Sequence, residues 1–95
     1  MNRKQILDEA TRIVCGDRNY GTPENNFGTI GALWETYLRW KTGTDIVMES
    51  KDVAAMMILL KIARINTGEI KADNWIDIAG YAACGAEVDL GASNA

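Results

Sequence analysis

The segment Val53–Leu60, VAAMMILL, constrains this chain more than any other stretch. A run with no polar side chain cannot form a helix that turns one face to water, so such a helix must be enclosed on several sides. Ser50 stands before the run as an N-cap residue, and Lys61 and Arg64 are the first charges after it. The pattern therefore predicts a helix over Lys51 to Ile65. In a chain of 95 residues, enclosing it requires a bundle and is easier in a dimer.

The rest of the sequence supplies the other helices. Ile6, Ala10, Ile13 and Val14 recur at helical spacing from Arg3 to Cys15, and Gly16 is a natural stop. Thr22-Pro23-Glu24 reads as N-cap, first helical residue and first-turn acid of a second helix reaching about Trp40. Phe27, Ile30, Leu33 (or Trp34), Tyr37 and Leu38 form its apolar stripe. Gly28 and Gly31 inside it point to close approach of a neighbour. Lys41 to Glu49 reads as a loop. After a second loop, Asn66 to Ala72, Asp73 caps a fourth helix over Asn74 to Glu87, with Trp75, Ile78, Ala79, Ala82 and Ala86 on its apolar face and Ala83 and Gly85 allowing tight packing. Trp34, Trp40 and Trp75 read as core side chains. The expected fold is all-α: one compact bundle of four helices spanning residues 1–95, dimeric, with its core over 3–88 and a fraying tail over 89–95.

Several function classes drop out. The sequence contains no histidine, which removes catalytic triads, Cys-His pairs and histidine-ligated metals together. Cys15 and Cys84 stand alone and read as reduced, mostly buried thiols, with a single Cys15–Cys84 disulfide as the alternative. A net charge of −3 argues against coating nucleic acid. No segment approaches the roughly 18–20 apolar residues of a membrane span, and the charged N-terminus is not a secretory signal. The expectation is a soluble cytoplasmic protein.

Four groups of residues carry chemistry. Asp73 and Asp77 lie four apart, hence on one helix face that Tyr81 continues, and paired carboxylates suit Mg²⁺. Against this, Asp73 also reads as an N-cap and Asp77 as half of a salt bridge. Lys61 and Arg64 share a face and suit phosphate oxygens; equally, they complement the helix dipole or pair with Asp73 and Asp77. The stretch Asp17-Arg18-Asn19-Tyr20-Gly21, with Glu24, Asn25 and Asn26 after it, offers amide groups for an anion and Tyr20 for stacking on a base, or else only a capped turn. Glu35 and Asp52 gain interest only if the fold brings them near Asp77. No P-loop or GxGxxG glycine pattern is present.

The stretches ILDEATRIVCGDRNYGTPENNF, DVAAMMILLKIARI and DNWIDIAGYAACGAE resemble a small domain of unknown function common in phages and prophages, over roughly Ile6 to Glu87. That group is similar to the all-α, MazG-like nucleoside triphosphate pyrophosphatases, Mg²⁺-dependent helical bundles, often dimers, whose metal site is an ExxE motif on one helix and an ExxD motif on the next. This sequence departs from them: Glu35 and Asp52 each lack a second acid three residues on, and only Asp73/Asp77 form a pair. The resemblance implies a phage-encoded nucleotide-binding protein and a Mg²⁺-dependent pyrophosphohydrolase in the bacterial host cytoplasm. Asp77 and Glu35 would be catalytic; Asp73, Asp77 and Asp52 would hold the metal; Lys61, Arg64, Tyr20 and Asn25 would bind substrate. The alternative, which the missing acids suit, is a non-enzymatic phage accessory protein that binds a host protein, such as an anti-CRISPR or other anti-defence factor.

Overall fold

Four helices and no strand make up the described part of the chain, α1 (Arg3–Cys15), α2 (Pro23–Thr42), α3 (Ser50–Thr67) and α4 (Ala72–Leu90). The computed structural model describes residues 1–16 and 22–91, the Glu24 side chain excepted. Residues 17–21, Tyr20 included, and the last four residues lie outside the described residues.

Local chemistry sets the helix ends. Asn2 caps α1 through a reciprocal pair: its Oδ1 accepts from the Gln5 amide at 2.9 Å, and its own amide donates to Gln5 Oε1 at 2.8 Å. Thr22 caps α2 as expected, its hydroxyl accepting from the Asn25 amide at 3.3 Å with Pro23 behind it. Gly43 ends α2 in the left-handed region (φ 68°), its amide donating to the Arg39 carbonyl. Two expected caps move. The N-cap of α3 is Glu49, not Ser50, because the Glu49 amide donates to Asp52 Oδ2 at 2.8 Å. The N-cap of α4 is Lys71, and Asp73 lies inside the first turn, where its charge complements the helix dipole. The helix then continues to Leu90, beyond the expected Glu87.

Helix α4 is the hub. It packs most extensively on α3, then on α1, and lightly on α2, while α2 reaches α3 and α1 rests on α4 alone. The core is small: Phe27, Val53, Ala54 and Cys84, bordered by Val14, Ile30, Trp34, Met57, Tyr81 and Val88. Small residues let the helices close. A Cβ added at Gly85 would lie 2.7 Å from that of Ala54, and one at Gly31 would lie 3.4 Å from Val53 Cγ2 and from the Met48 carbonyl oxygen. Gly28 is looser, 4.0 Å from Ser50 Oγ.

Several expectations about burial fail, among them the place of Tyr37 in the apolar stripe of α2 (61% exposed) and the burial of Cys15. The buried face of α4 is not Trp75-Ile78-Ala79-Ala82-Ala86. It passes through Asn74, Ile76, Gly80, Cys84 and Gly85, on the far side of the helix, because small residues rather than bulky ones set where α1 and α3 approach. Trp40 (90% exposed) and Trp75 stand in solvent, and on α2 Trp34 rather than Leu33 turns inward. Helix α3 is not enclosed within the single chain: Val53 and Ala54 are buried, but Met56, Leu59, Leu60 and Ile62 are exposed. Neither cysteine forms a disulfide; Cys84 is buried as expected and Cys15 is exposed. Among the described residues no helix is long and apolar enough to cross a membrane.

Candidate functional site

The antiparallel seam of α3 and α4 carries Lys61 and Asp77 toward each other. Lys61 follows the apolar run by a single position, so its aliphatic stem continues the buried side of α3 while its ammonium ends at the helix margin. Asp77 lies one residue after buried Ile76 and three before buried Gly80, and therefore turns partly inward. Lys61 Nζ meets Asp77 Oδ2 at 2.8 Å, with the two side chains only 12% and 33% exposed. This is the least exposed ion pair among the described residues. A charge pair so placed is partly desolvated and depends on its geometry far more than a surface pair does.

Asp77 borders two cavities. One, of about 230 Å³, lies between α1, α4 and the start of α2. Val14, Phe27, Ile76 and Tyr81 supply its apolar and aromatic wall, and Thr22 and Asn26 bring polar groups from the α2 N-terminus. The other, of about 360 Å³, lies between the end of α3 and the start of α4. Lys61, Arg64 and Lys71 line it with Asp73, Asn74 and Asp77. The expected quartet Lys61, Arg64, Asp73 and Asp77 is thus brought to one hollow.

The remaining expected residues lie elsewhere. Glu35 accepts from the Met48 amide at 2.9 Å through Oε1, while Oε2 sits 3.7 Å from Arg39 Nη2; Arg39 Nε in turn donates to the Ile46 carbonyl at 2.8 Å. These two α2 side chains hold the 44–49 connection against the helix. Asp52 is spent on the α3 cap, nine residues and about 13 Å of helix rise before Lys61. Asn25 is exposed in the first turn of α2, and its neighbour Asn26 lines the cavity instead. Among the described residues no three Cys, Asp or Glu side chains are grouped to hold a metal ion. The resolved shifts in acidity belong to a different place: on α1, hydrogen bonding by the Arg12 guanidinium holds the Glu9 carboxyl below its ordinary value and Glu9 raises Arg12.

Sequence reasoning missed Asn74, a buried polar residue, and Gly80, whose bare Cα lets Val14 approach to 3.1 Å of a would-be Cβ. The signal was present. Asn74, Asp77 and Tyr81 recur at i, i+3, i+7, marking a polar stripe on the inner side of a largely apolar helix.

The chain belongs to the family described as "Domain of unknown function (DUF6378)", whose model matches residues 5–89. It is 45% identical over 83 residues to "Gene 55 protein" of Mycobacterium phage D29, an overlap covering 85% of this chain and 51% of the relative. It is 44% identical over 79 residues to "Gene 55 protein" of Mycobacterium phage L5, covering 81% and 47%. The chain thus spans about half the length of these relatives, and both are phage proteins, in agreement with the resemblance seen in the sequence. No solved structure matches it.

Proposed function

We propose that this phage-family domain binds a phosphorylated small molecule of the nucleotide class, as a MazG-like protein of the bacterial host cytoplasm. The observation that carries this reading is Asp77, which lines an apolar, aromatic-walled cavity on one side and a cation-lined hollow on the other. A nucleotide has the same polarity, with a flat ring at one end and phosphates at the other. Lys61 and Arg64 supply charge-assisted donors for phosphate, with Lys71 beside them. On binding, the Lys61 ammonium transfers from Asp77 to a phosphoryl oxygen and leaves the Asp77 carboxylate free.

Mg²⁺ fits this donor set only in its sparse mode, in which one or two carboxylates hold the ion and the phosphates and water complete the shell. Asp73 and Asp77 would be those carboxylates; Asp52 and Glu35 do not lie with them. A bound Mg²⁺ supplies charge neutralisation and an acidified water, which is what the pyrophosphohydrolase form of the reading requires. Calorimetric titration with a panel of nucleoside triphosphates, with and without Mg²⁺, followed by chromatography for monophosphate, tests both forms. Binding that Lys61→Met weakens tenfold or more supports the reading. No binding and no turnover for any member of the panel removes it.

A second reading, the non-enzymatic accessory protein that binds a host or anti-defence target, rests on a different observation. Leu33, Tyr37 and Trp40 project from α2 at i, i+4, i+7, all more than half exposed. Aromatic residues of this kind anchor protein interfaces. Capture of a stable partner from a bacterial host, lost on Trp40→Ala, is its expected result; a capture that Trp40→Ala leaves unchanged counts against it.

A further inference from the structure

We infer that the first turn of α4 is an anion subsite in which the Asn74 carboxamide donates to a phosphoryl oxygen. Among the described residues Asn74 is the only buried polar one, 8% exposed. Its carboxamide carries two N–H donors and an acceptor oxygen. Such a group costs stability when it leaves water unpaired, so buried amides are as a rule hydrogen-bonded. Among the described residues the Asn74 side chain has no hydrogen-bond partner. Nor is any unpaired side-chain polar atom there sealed from solvent, so the carboxamide keeps its remaining exposure through the hollow that Asn74 lines, between the end of α3 and the start of α4.

The usual reason for a polar residue at this place in a helix does not hold. Asn74 is the third residue of α4, as Gln5 is of α1 and Asp52 of α3. Gln5 and Asp52 each reach back to the amide of the residue before their helix, at 2.8 Å in both cases, and complete a capping box. Asn74 forms no such bond, and Lys71 supplies no side-chain cap. The Asn74 amide reaches the Lys71 carbonyl at 3.3 Å, while those of Ala72 and Asp73 have no acceptor within the helix. A helix start without a cap and a buried carboxamide without a partner thus border the same hollow.

Directed donors make this an anion subsite. Free amides at a helix N-terminus favour an oxyanion. Net charge does not choose the ligand, because Glu69, Asp73 and Asp77 line the hollow along with Lys61, Arg64 and Lys71. A phosphoryl group instead accepts several hydrogen bonds together, from Asn74 Nδ2, the first amides of α4 and the Arg64 guanidinium. The assignment rests on the reading that a phosphorylated ligand enters the hollow, and adds to it a residue and a position. Asn74 lies three residues, about 4.5 Å of helix rise, before Asp77. It does not line the aromatic-walled cavity, so the phosphoryl group it holds lies past the Lys61–Asp77 junction as seen from that cavity.

Calorimetric titration of the 95-residue chain with inorganic pyrophosphate, and separately with the nucleoside triphosphate panel, tests the assignment in wild type, Asn74→Leu and Asn74→Asp. Leucine has as many side-chain heavy atoms as asparagine but no donor; aspartate keeps the shape and brings a negative charge. Pyrophosphate affinity should fall about tenfold in Asn74→Leu and further in Asn74→Asp. The Tm of Asn74→Leu without ligand should be no lower than that of wild type, because an unpaired amide has been removed. A structural asparagine gives the reverse, a lower Tm in Asn74→Leu and unchanged pyrophosphate affinity in Asn74→Asp, and that result overturns the proposal. Pyrophosphate binding that depends on Asn74, with no nucleotide bound, upholds the subsite and removes the nucleotide reading. Nucleotide binding that neither substitution weakens keeps that reading and overturns the subsite. Binding of neither probe ends both.

Discussion

The two ends of the α3–α4 seam are built on opposite terms. At one end Val53 is fully buried, and Ala54 sits so close to Gly85 that no side chain fits between the helices. At the other, about eight residues along the same antiparallel pair, the helices are joined by the Lys61–Asp77 ion pair with a cavity on either side. The closed end draws its stability from packing, in which each methylene group contributes about 0.8 kcal/mol and voids are costly. The open end gives up that packing and holds partly desolvated charge. An end left open in this way admits a ligand, and the proposed site at Asp77 rests on this difference.

The comparison can be broken at its closed end first. Gly85→Leu forces a side chain into the 2.7 Å gap against Ala54 and should destabilise the fold by about 3 kcal/mol or more, read as a fall in Tm of roughly 10–20 °C. Val53→Ala removes a fully buried side chain and should cost about 2 kcal/mol in urea unfolding, with little change in the denaturant slope. At the open end the effects on stability are smaller and those on binding larger. Lys61→Met strands a carboxylate that keeps a third of its surface in water, so the loss is about 1–2 kcal/mol; Lys61→Met with Asp77→Asn should recover most of it, giving a coupling energy near 1 kcal/mol. If the pair shows no coupling, the junction is an ordinary surface contact. Gly43→Ala, outside both ends, should cost about 1 kcal/mol through its left-handed backbone alone.

The smallest effect belongs to α1, remote from the seam. Because Arg12 holds the Glu9 carboxyl below its ordinary value, Glu9 contributes stability that is present above the unfolded Glu value of about 4.3 and is lost as pH falls through the lower folded one. Glu9→Gln should therefore be slightly less stable than the wild-type chain at neutral pH and indistinguishable from it in acid, as followed by thermal unfolding across the acid range. The pair lies at the helix surface, its side chains 34% (Glu9) and 69% (Arg12) exposed, so this difference is slight beside those at the seam.

Much of the fold was legible because helix ends carry chemical marks. Asn2 was not singled out, but Thr22-Pro23 and Gly16 fixed two boundaries, and the apolar run fixed α3 to within two residues at its C-terminus. What misled was volume. Trp40 and Trp75 read as core because large apolar side chains gain most from burial, yet helix approach is governed by the smallest residues, and Gly31, Gly80 and Gly85 turned α4 and α2 to other faces. The site was legible in part for the same reason. Lys61, Arg64, Asp73 and Asp77 converge as their spacing and charge suggested. Glu35 and Asp52 do not join them, because an acid near a loop amide or in a first helical turn satisfies the backbone locally. A scan for chemistry by residue type does not see that competition; a scan for unpaired amides does.

The central claim is that the open end of the seam is the ligand site. Backbone amide shift mapping of the isotopically labelled protein during titration with ATP and Mg²⁺, and with the other nucleoside triphosphates in turn, tests it most directly. The account predicts saturable shifts concentrated at Lys61–Gly68 and Lys71–Tyr81, reaching Thr22–Phe27 along the aromatic-walled cavity, with Val53–Met57 and Gly85–Val88 unmoved. Shifts absent throughout the panel, or centred on the closed end, would contradict it.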